Sequence, residues 1–160
     1  MKIRRFETND AEAVSQLIRT TIRISNKKDY PEELMDALIE TETPEHVLGR
    51  AEWTHFYVVL EEEKIIGCGA IGPYWGKEDE SSLFTIFVLP EYQGNGFGRK
   101  LIVFAEEKIA ENYTEAELSA SLSAKRIYLR YGYISTGYYI IDTDNGDKLC
   151  YDYMKKVLNR

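Results

Sequence analysis

The chain has few of the residues from which metal sites and disulfide frameworks are built. Its 160 residues include two cysteines, Cys68 and Cys150, and two histidines, His46 and His55. Neither pair falls in a metal-binding spacing such as Cys-x-x-Cys. We therefore expect no metal, free thiols in a reducing compartment, and histidines that are structural or exposed.

Long hydrophobic segments are also missing. The strictly apolar runs are only a few residues long, which argues against a membrane-spanning helix. The segment Met1–Glu7 lacks the apolar stretch of a signal peptide. With 44% apolar and 29% charged residues, the composition predicts a single cytoplasmic domain over residues 1–160, without a membrane partner.

The chain has no excess of positive charge. Twenty lysines and arginines against 27 aspartates and glutamates give a formal net charge of −7. This balance argues against nucleic acid as a partner, because binding to phosphates requires basic surface. It is compatible with a cationic small molecule such as an amine.

Predicted strands alternate with predicted helices along the whole chain. Apolar spacing and cap signals indicate an α/β (α+β) fold, with a mixed sheet of about six to seven strands flanked by about four to five helices. The predicted strands span 2–6, 55–60, 64–71, 83–89, 115–121, 133–141 and 148–155, and the helices begin after Asn9, at Pro31, at Pro44, at Gly98 and at Ala124. A turn over 144–147 is expected to join the last two strands.

A glycine-rich segment lies between a predicted strand and a predicted helix. Gly94, Gly96 and Gly98 alternate, the apolar run 83–89 precedes them, and a helical pattern follows. Backbone N–H groups at such a helix N-terminus can bind a pyrophosphate, and glycine lets the ligand approach closely. The segment is therefore predicted to bind phosphate.

Other glycine motifs fit this segment less well. A dinucleotide-binding fold has Gly-x-Gly-x-x-Gly near its start, whereas here Gly-x-Gly-x-Gly follows at least three earlier strands. A P-loop requires Gly-Lys-Ser/Thr, which is absent from the sequence. A glycine turn without any ligand is the remaining alternative that spacing alone leaves open.

A second segment resolves this choice. With Gln93, Gly96 and Gly98 in the loop, the segment 121–133 makes the chain resemble the GNAT family of N-acetyltransferases. That family's loop reads Gln/Arg-x-x-Gly-x-Gly/Ala, and its second motif reads Asn-x-x-Ala-x-x-x-Tyr-x-x-x-Gly-Phe. Four residues match the second motif in register, and Ser121 departs from it by replacing the asparagine; the matching residues are Ala124, Tyr128, Gly132 and the aromatic Tyr133.

The resemblance implies that acetyl-CoA is the co-substrate and that an amine accepts the acetyl group. The pantetheine arm is expected in a V-shaped opening between the fourth and fifth strands, where open strand edges pair with its amides. The residues implied to contact acetyl-CoA are Ile86, Phe87, Val88, Gln93, Gly94, Asn95, Gly96, Phe97, Gly98, Arg99, Lys100, Ser121, Ala124 and Tyr128.

The resemblance also implies catalytic groups. Tyr128 matches the tyrosine that donates a proton to the departing thiolate, and a backbone N–H near Val88 or Leu89 is expected to stabilise the oxyanion. The base is not assigned by any motif. Glu117 on the fifth strand is the named candidate, the acidic run 78–80 is a further one, and a water chain is the alternative.

The acceptor pocket carries no fixed motif. In this family it lies between the early-helix loop and the late hairpin, so the aromatic residues there are candidates to hold a cation; they are Tyr30, Tyr74, Trp75, Tyr138 and Tyr139. Antibiotic, polyamine, amino acid and protein N-terminus all stay open as acceptors. Another acyl-CoA donor, or a binding module without turnover, are alternative functions, and the exposed edge of the last strand suggests a possible homodimer.

Overall fold

The computed structural model of the protein describes residues 1–144 and 146–159. Over these residues the chain forms a seven-stranded sheet in the order β1-β2-β3-β4-β5-β7-β6, in which only the β4–β5 pairing is parallel. The strands are β1 Lys2–Arg5, β2 His55–Glu61, β3 Lys64–Gly72, β4 Ser82–Val88, β5 Glu115–Ser121, β6 Ile134–Asp142 and β7 Lys148–Val157. The helices are α1 Ala11–Ser25, α2 Glu32–Thr41, α3 Pro44–Trp53, α4 Phe97–Ala110 and α5 Leu122–Arg130.

Helices cover both faces of the sheet. The predicted apolar stripe of α1 is buried, with Val14 and Ile18 at 0% exposure, and it packs with α2 and α3 against β2 and β3. The helices α4 and α5 pack on the opposite face through Ile102, Ala105 and Tyr128 against β5 and β7. Burial of these two apolar layers is the main source of stability for the sheet.

The predicted elements are confirmed, with bounds shifted by at most a few residues. Thr43 accepts the amide hydrogen of His46 at 3.2 Å, which is the N-cap expected before Pro44. The predicted turn over 144–147 includes Asn145, which lies outside the described residues.

The position of the sheet edge differs from the prediction. The last strand, β7, is inserted between β5 and β6, so β6 and not β7 lies at the edge. Sequence order alone does not determine this, because either strand of the β6–β7 hairpin could pair with β5. The apolar alternation of β7 accounts for the choice, since Leu149 and Met154 are buried on opposite faces.

Candidate active site

The strands β4 and β5 run side by side for only two residue pairs. Ser82 pairs with Glu117 and Leu83 with Leu118, and beyond these positions the two strands separate. The side of β4 that faces β5 therefore has no strand partner after Leu83 within the described residues. This is the V-shaped opening that the family resemblance implied, and its unpaired backbone groups are available to an amide-bearing ligand.

A β-bulge shapes β4 along this opening. Cys68 pairs with Phe87 and Ala70 with Phe84, so β4 carries one more residue than β3 between these pairs. Within the bulge Thr85 has φ of +54°, a left-handed conformation that is unfavourable for a β-branched residue. Strained backbone of this kind occurs at functional sites, where the surrounding structure enforces it.

The three residues predicted to contact the pantetheine arm follow the bulge. They are Ile86, Phe87 and Val88, at the end of β4. The amide of the next residue, Leu89, donates to the Ile66 carbonyl at 2.8 Å, so it is not free to stabilise an oxyanion. Because neighbouring residues of a strand direct their amides to opposite sides, Val88 keeps that candidate role and Leu89 does not.

The glycine loop lies between β4 and α4, after a short 3₁₀ turn at Pro90–Tyr92. Gly94 and Gly96 have φ of +79° and +83°, a conformation that glycine adopts without the penalty of a Cβ. A Cβ at either position would meet no atom of the described residues within 4 Å, so open space lies beside the loop. The amide of Lys100 donates to the Gly96 carbonyl at 3.0 Å. The amides of Phe97, Gly98 and Arg99 come before this bond in the first turn of α4, where helix geometry offers them no intrahelical carbonyl.

Gln93 and Asn95 hold the loop in place. The Gln93 Nε2 donates to the Val88 carbonyl at 2.9 Å and to the Ser25 hydroxyl at 3.1 Å, which ties the loop to β4 and to α1. The Asn95 side chain donates to the carbonyl of Gln93 at 3.2 Å. Both side chains thus form intramolecular hydrogen bonds that fix the loop. Their backbone groups remain candidates for contact with a ligand.

Positive charge follows the loop. The side chains of Arg99 and Lys100 are exposed in the first turn of α4, beside Gly96. Cations here oppose the helix dipole, and an anionic ligand offsets this cost. A groove of about 400 Å³ runs along the same helix face and is lined by both residues together with Gly96, Val103, Phe104 and Glu107.

Tyr128 lies in the apolar layer between α5 and the sheet. It is 8% exposed, and its ring meets the Tyr133 ring edge-on at 5.6 Å between centroids. Burial raises the pKa of Tyr128 well above its usual range, which keeps the phenol protonated at neutral pH. A neutral phenol is the form that can donate to a thiolate. Ala124, one turn before it, is partly buried against the same layer.

Tyr30 has a role that sequence reasoning missed. Its hydroxyl accepts the amide hydrogen of Leu122 at 3.0 Å, at the start of α5 and beside Ser121. Ser121 occupies the N-cap position of α5 but makes no side-chain cap bond, and Tyr30 satisfies one of the free helix amides in its place. The residue is 8% exposed and belongs to the core, so the expectation that it lines the acceptor pocket is wrong.

The carboxylate of Glu117 lies at the closed end of the V. It accepts hydrogen bonds from Lys77 Nζ at 2.6 and 2.7 Å and from the Ser82 hydroxyl at 3.2 Å, and Lys155 Nζ lies 3.8 Å away. Its lone pairs are therefore occupied by groups that join the β3–β4 loop to β5. These contacts favour a structural ion pair over a general base, and the role of Glu117 in catalysis stays a prediction.

The remaining candidates for a base lie on the surface. Glu80 pairs with His55 at 3.1 Å, and both side chains are 47% exposed. The residues 78–80 are exposed, as is expected of a solvated acidic loop, and His46 is also exposed.

An aromatic cavity of about 620 Å³ opens beside the V. Four tyrosines and a tryptophan form most of its wall, namely Tyr74, Tyr138, Tyr139, Tyr153 and Trp75; the other lining residues are Thr136, Gly137 and Ile141. The structure thus brings the predicted pair Tyr74–Trp75 next to the predicted pair Tyr138–Tyr139. Tyr153 was not predicted, although its alternation with Tyr151 in the last strand was a visible signal.

Residues 1–144 and 146–159 contain neither a metal-binding cluster nor a membrane-spanning helix. No group of three or more His, Cys, Asp or Glu side chains in this part of the chain is arranged to hold a metal ion. No helix in the same part is both long enough and apolar enough to cross a membrane.

Comparisons with known proteins agree with this geometry. The family model of the acetyltransferase (GNAT) domain matches residues 52–135, more than half of the chain, so the protein belongs to the GNAT acetyltransferase family. An S-alkylcysteine N-acetyltransferase of Bacillus subtilis (strain 168) is 31% identical over 117 residues, which are 66% of this chain. The matched part spans 61% of that relative's length.

Solved structures share the fold. A GCN5-related N-acetyltransferase from Rhodopseudomonas palustris superposes with a TM-score of 0.86 at 20% identity, covering 98% of this chain and 95% of that one. The PaiA N-acetyltransferase from Thermoplasma acidophilum, solved in complex with coenzyme A, gives a TM-score of 0.74 at 20% identity and covers 98% of each chain. At this level of identity the likeness shows the common fold.

Proposed function

We propose that the protein transfers an acetyl group from acetyl-CoA to a primary amine. The observation that carries this proposal is the separation of β4 from β5 after Leu83 and Leu118, along a strand that leads toward the open glycine loop. Family membership supports the acetyl transfer, and the coenzyme A complex of the Thermoplasma acidophilum structure supports the co-substrate.

The residues around the V fit acetyl-CoA in three parts. The free edge of β4 at Ile86, Phe87 and Val88 would pair with the pantetheine amides. The amides of 94–98 would hold the pyrophosphate in the open space beside Gly94 and Gly96, with Arg99 and Lys100 on the phosphates. From the side of α5, the pantetheine arm would contact Ser121, Ala124 and Tyr128.

Bound acetyl-CoA supplies a thioester carbonyl that is activated toward amines. The amine nitrogen forms a bond to the carbonyl carbon, the carbon–sulfur bond breaks, the nitrogen loses a proton to solvent and the sulfur gains one. Tyr128 would supply the proton to sulfur, and the Val88 amide would stabilise the oxyanion. Water in the open cavity would carry the proton from nitrogen.

The aromatic cavity is the proposed acceptor site. Its ring faces would stabilise the ammonium form of an incoming amine before it loses its proton. The printed activity of the Bacillus subtilis relative supports a thioether amino acid as one acceptor to test first. The other acceptor classes named from the sequence belong in the same screen.

Thermal unfolding with acetyl-CoA, free CoA and NAD tests the proposal. A ligand at 100 times its dissociation constant should raise the free energy of unfolding by about 2.7 kcal/mol. We expect stabilisation by both CoA species and none by NAD, followed by thiol release when amines are added. Stabilisation without thiol release for any amine would leave a binding module, and no stabilisation by CoA would refute the proposal.

We also propose that the protein acts in the cytoplasm and pairs with a second copy through β6. This edge strand is nine residues long, is exposed at all but one position, and contains neither lysine nor proline to block pairing. Residues 134–141 carry no charge, so two copies can meet antiparallel without repulsion. Sedimentation should show a dimer that Ile140→Lys dissociates; a wild-type monomer at high concentration would refute the pairing.

A further inference from the structure

Two hydroxyl groups meet at the point where the V opens. The Tyr74 hydroxyl lies 3.1 Å from the Ser119 hydroxyl, within hydrogen-bond distance. Ser119 directly follows Leu118, the last residue of β5 that pairs with β4. The pair therefore lies where the strands separate, and Tyr74 also lines the aromatic cavity.

Packed aromatic rings fix the position of Tyr74. Its ring meets Tyr153 edge-on at 4.7 Å and stacks on Phe84 at 6.4 Å between centroids, and Tyr153 in turn contacts Tyr139 at 6.2 Å. Such packing leaves the Tyr74 hydroxyl little freedom, so it can orient a ligand with little loss of entropy. The hydroxyl is thus presented at one end of a cavity with rigid apolar walls.

Among the residues that the structure describes, no charged side chain lines this cavity. A second ammonium group on the acceptor would find no carboxylate among these lining residues, and placing an unpaired charge against apolar walls is costly. Ring faces favour a single cation, and they favour an apolar body beside it. The cavity therefore discriminates by the number of charges as well as by shape.

We propose that the acceptor carries one amine on an apolar body, and that Tyr74 and Ser119 are positioning residues that hold its nitrogen at the opening of the V. This inference rests on the proposed acetyl transfer. The Tyr74 oxygen accepts one N–H of the amine, and Ser119 orients the Tyr74 hydroxyl. The nitrogen lone pair is then free to form the bond to the thioester carbonyl.

Tyr74 is not the base in this arrangement. Burial raises the pKa of Tyr74 above its usual value, so its hydroxyl stays protonated while the amine binds. The proton that the nitrogen loses passes to water in the open cavity. Loss of either hydroxyl should therefore impair the orientation of the amine nitrogen and leave the removal of its proton unaffected.

Steady-state kinetics on an acceptor panel test the acceptor class. Phenethylamine and S-benzylcysteamine provide one amine on an apolar body without a second charge, and spermidine and kanamycin provide several amines. We expect kcat/KM for the better apolar acceptor to exceed that for both polycations by at least about tenfold, which is about 1.4 kcal/mol. Equal or higher kcat/KM for a polycation would overturn the inference while the acetyl transfer stands.

Tyr74→Phe and Ser119→Ala test the positioning role. We expect each to lower kcat/KM for the acceptor about tenfold to hundredfold, with KM for acetyl-CoA and the melting temperature unchanged. Ser119→Thr keeps the hydroxyl and should restore the rate. Tyr113→Phe is the matched control, because it also removes one bonded hydroxyl, the acceptor of the Glu80 amide, but outside the aromatic cavity.

The failures of the two proposals are distinguishable. If wild-type protein binds acetyl-CoA and acetylates amines but both hydroxyl variants retain its acceptor kcat/KM, the positioning role is wrong and acetyl transfer stands. If Tyr74→Phe fails to fold, Ser119→Ala and its Ser119→Thr rescue decide the outcome. If wild-type protein neither binds acetyl-CoA nor acetylates any amine, the proposed function fails and this inference fails with it.

Discussion

Leu83 and Leu118 are the last residues through which β4 and β5 pair, and both are nearly fully buried. They anchor the apex of the V in the apolar layer beneath α4. The glycine loop, the strained bulge of β4 and the Tyr74–Ser119 pair all lie beyond this apex along the two strands. The closed end is held differently, by the Glu117 ion pair.

Alanine substitutions at the loop glycines should differ in their effects on stability and on CoA affinity. Gly98 has no positive φ, and a Cβ there would make only an ordinary 3.8 Å contact with Val88. We expect Gly98→Ala, which introduces a residue that the family motif accepts at this position, to leave the fold intact or to stabilise it by about 0.5–1 kcal/mol, and to leave the affinity for CoA unchanged. Calorimetric titration with CoA and thermal unfolding measure the two effects.

Two controls sharpen this comparison. Gly96→Ala places a Cβ at φ of +83° and should cost about 1–2 kcal/mol of stability in addition to CoA affinity. Gly49→Ala in α3 has open space and an ordinary φ, and it should change neither ligand affinity nor rate. A loss of CoA affinity in Gly98→Ala as large as that in Gly96→Ala would contradict this distinction between the two glycines.

Tyr128→Phe should lower the rate of acetyl transfer without loosening the core. The phenylalanine ring keeps the packing against Tyr133, so we expect an unchanged melting temperature and KM for acetyl-CoA, and a kcat lower by about 10²-fold. Tyr133→Phe is the control, because its buried hydroxyl has no hydrogen-bond partner among the described residues, and its removal should be neutral or stabilising. An unchanged kcat in Tyr128→Phe would remove the residue from the mechanism.

The pH dependence of kcat should reflect the protonation state of Tyr128. Burial raises its pKa above the ordinary value of 10.0, so the donor form is fully present below that pH and is lost only above it. We therefore expect the kcat profile of the wild-type protein to show no decline from Tyr128 ionisation between neutral pH and pH 10.0. A declining limb in this range that disappears in Tyr128→Phe would contradict the buried environment.

Glu117→Gln tests whether this carboxylate is structural. The change removes the charge partner of Lys77 at the closed end of the V, and we expect a loss of about 1–3 kcal/mol in the free energy of unfolding. Glu111→Gln, which breaks the exposed pair with Lys108, should change stability much less, because solvent and salt screen that pair. If Glu117 is the base, Glu117→Gln will instead lower kcat/KM at least about 10²-fold.

Thr85→Asn should relieve strain in the bulge of β4. Asparagine tolerates the left-handed region better than a β-branched residue, so we expect a gain of about 1 kcal/mol, visible as a higher melting temperature. Thr85→Val keeps the branched Cβ and should show no such gain. Destabilisation by Thr85→Asn would mean that contacts of the threonine side chain outweigh the backbone strain.

The sequence predicted much of the fold because its signals were local. The α1 stripe of Val14 and Ile18 repeats with the helical period, and Thr43 with Pro44 marks a helix start within neighbouring residues. The roles of Tyr30 and Glu117 could not be read in this way. Tyr30 contacts Leu122 across 92 positions and Glu117 contacts Lys77 across 40, and no periodicity encodes such pairs.

By itself, the sequence determined the strand and helix segments, the glycine loop and the residues by which the chain resembles the GNAT family, because each depends on residues close together in the chain. The tertiary structure decided where β4 leaves β5, which strand forms the sheet edge, and which side chains surround the cavity. Tyr74 and Ser119 lie 45 positions apart and meet only because β3, β4 and β5 are neighbours in one sheet. The chemistry proposed for the opening of the V depends on that pairing of strands, which burial of both faces stabilises.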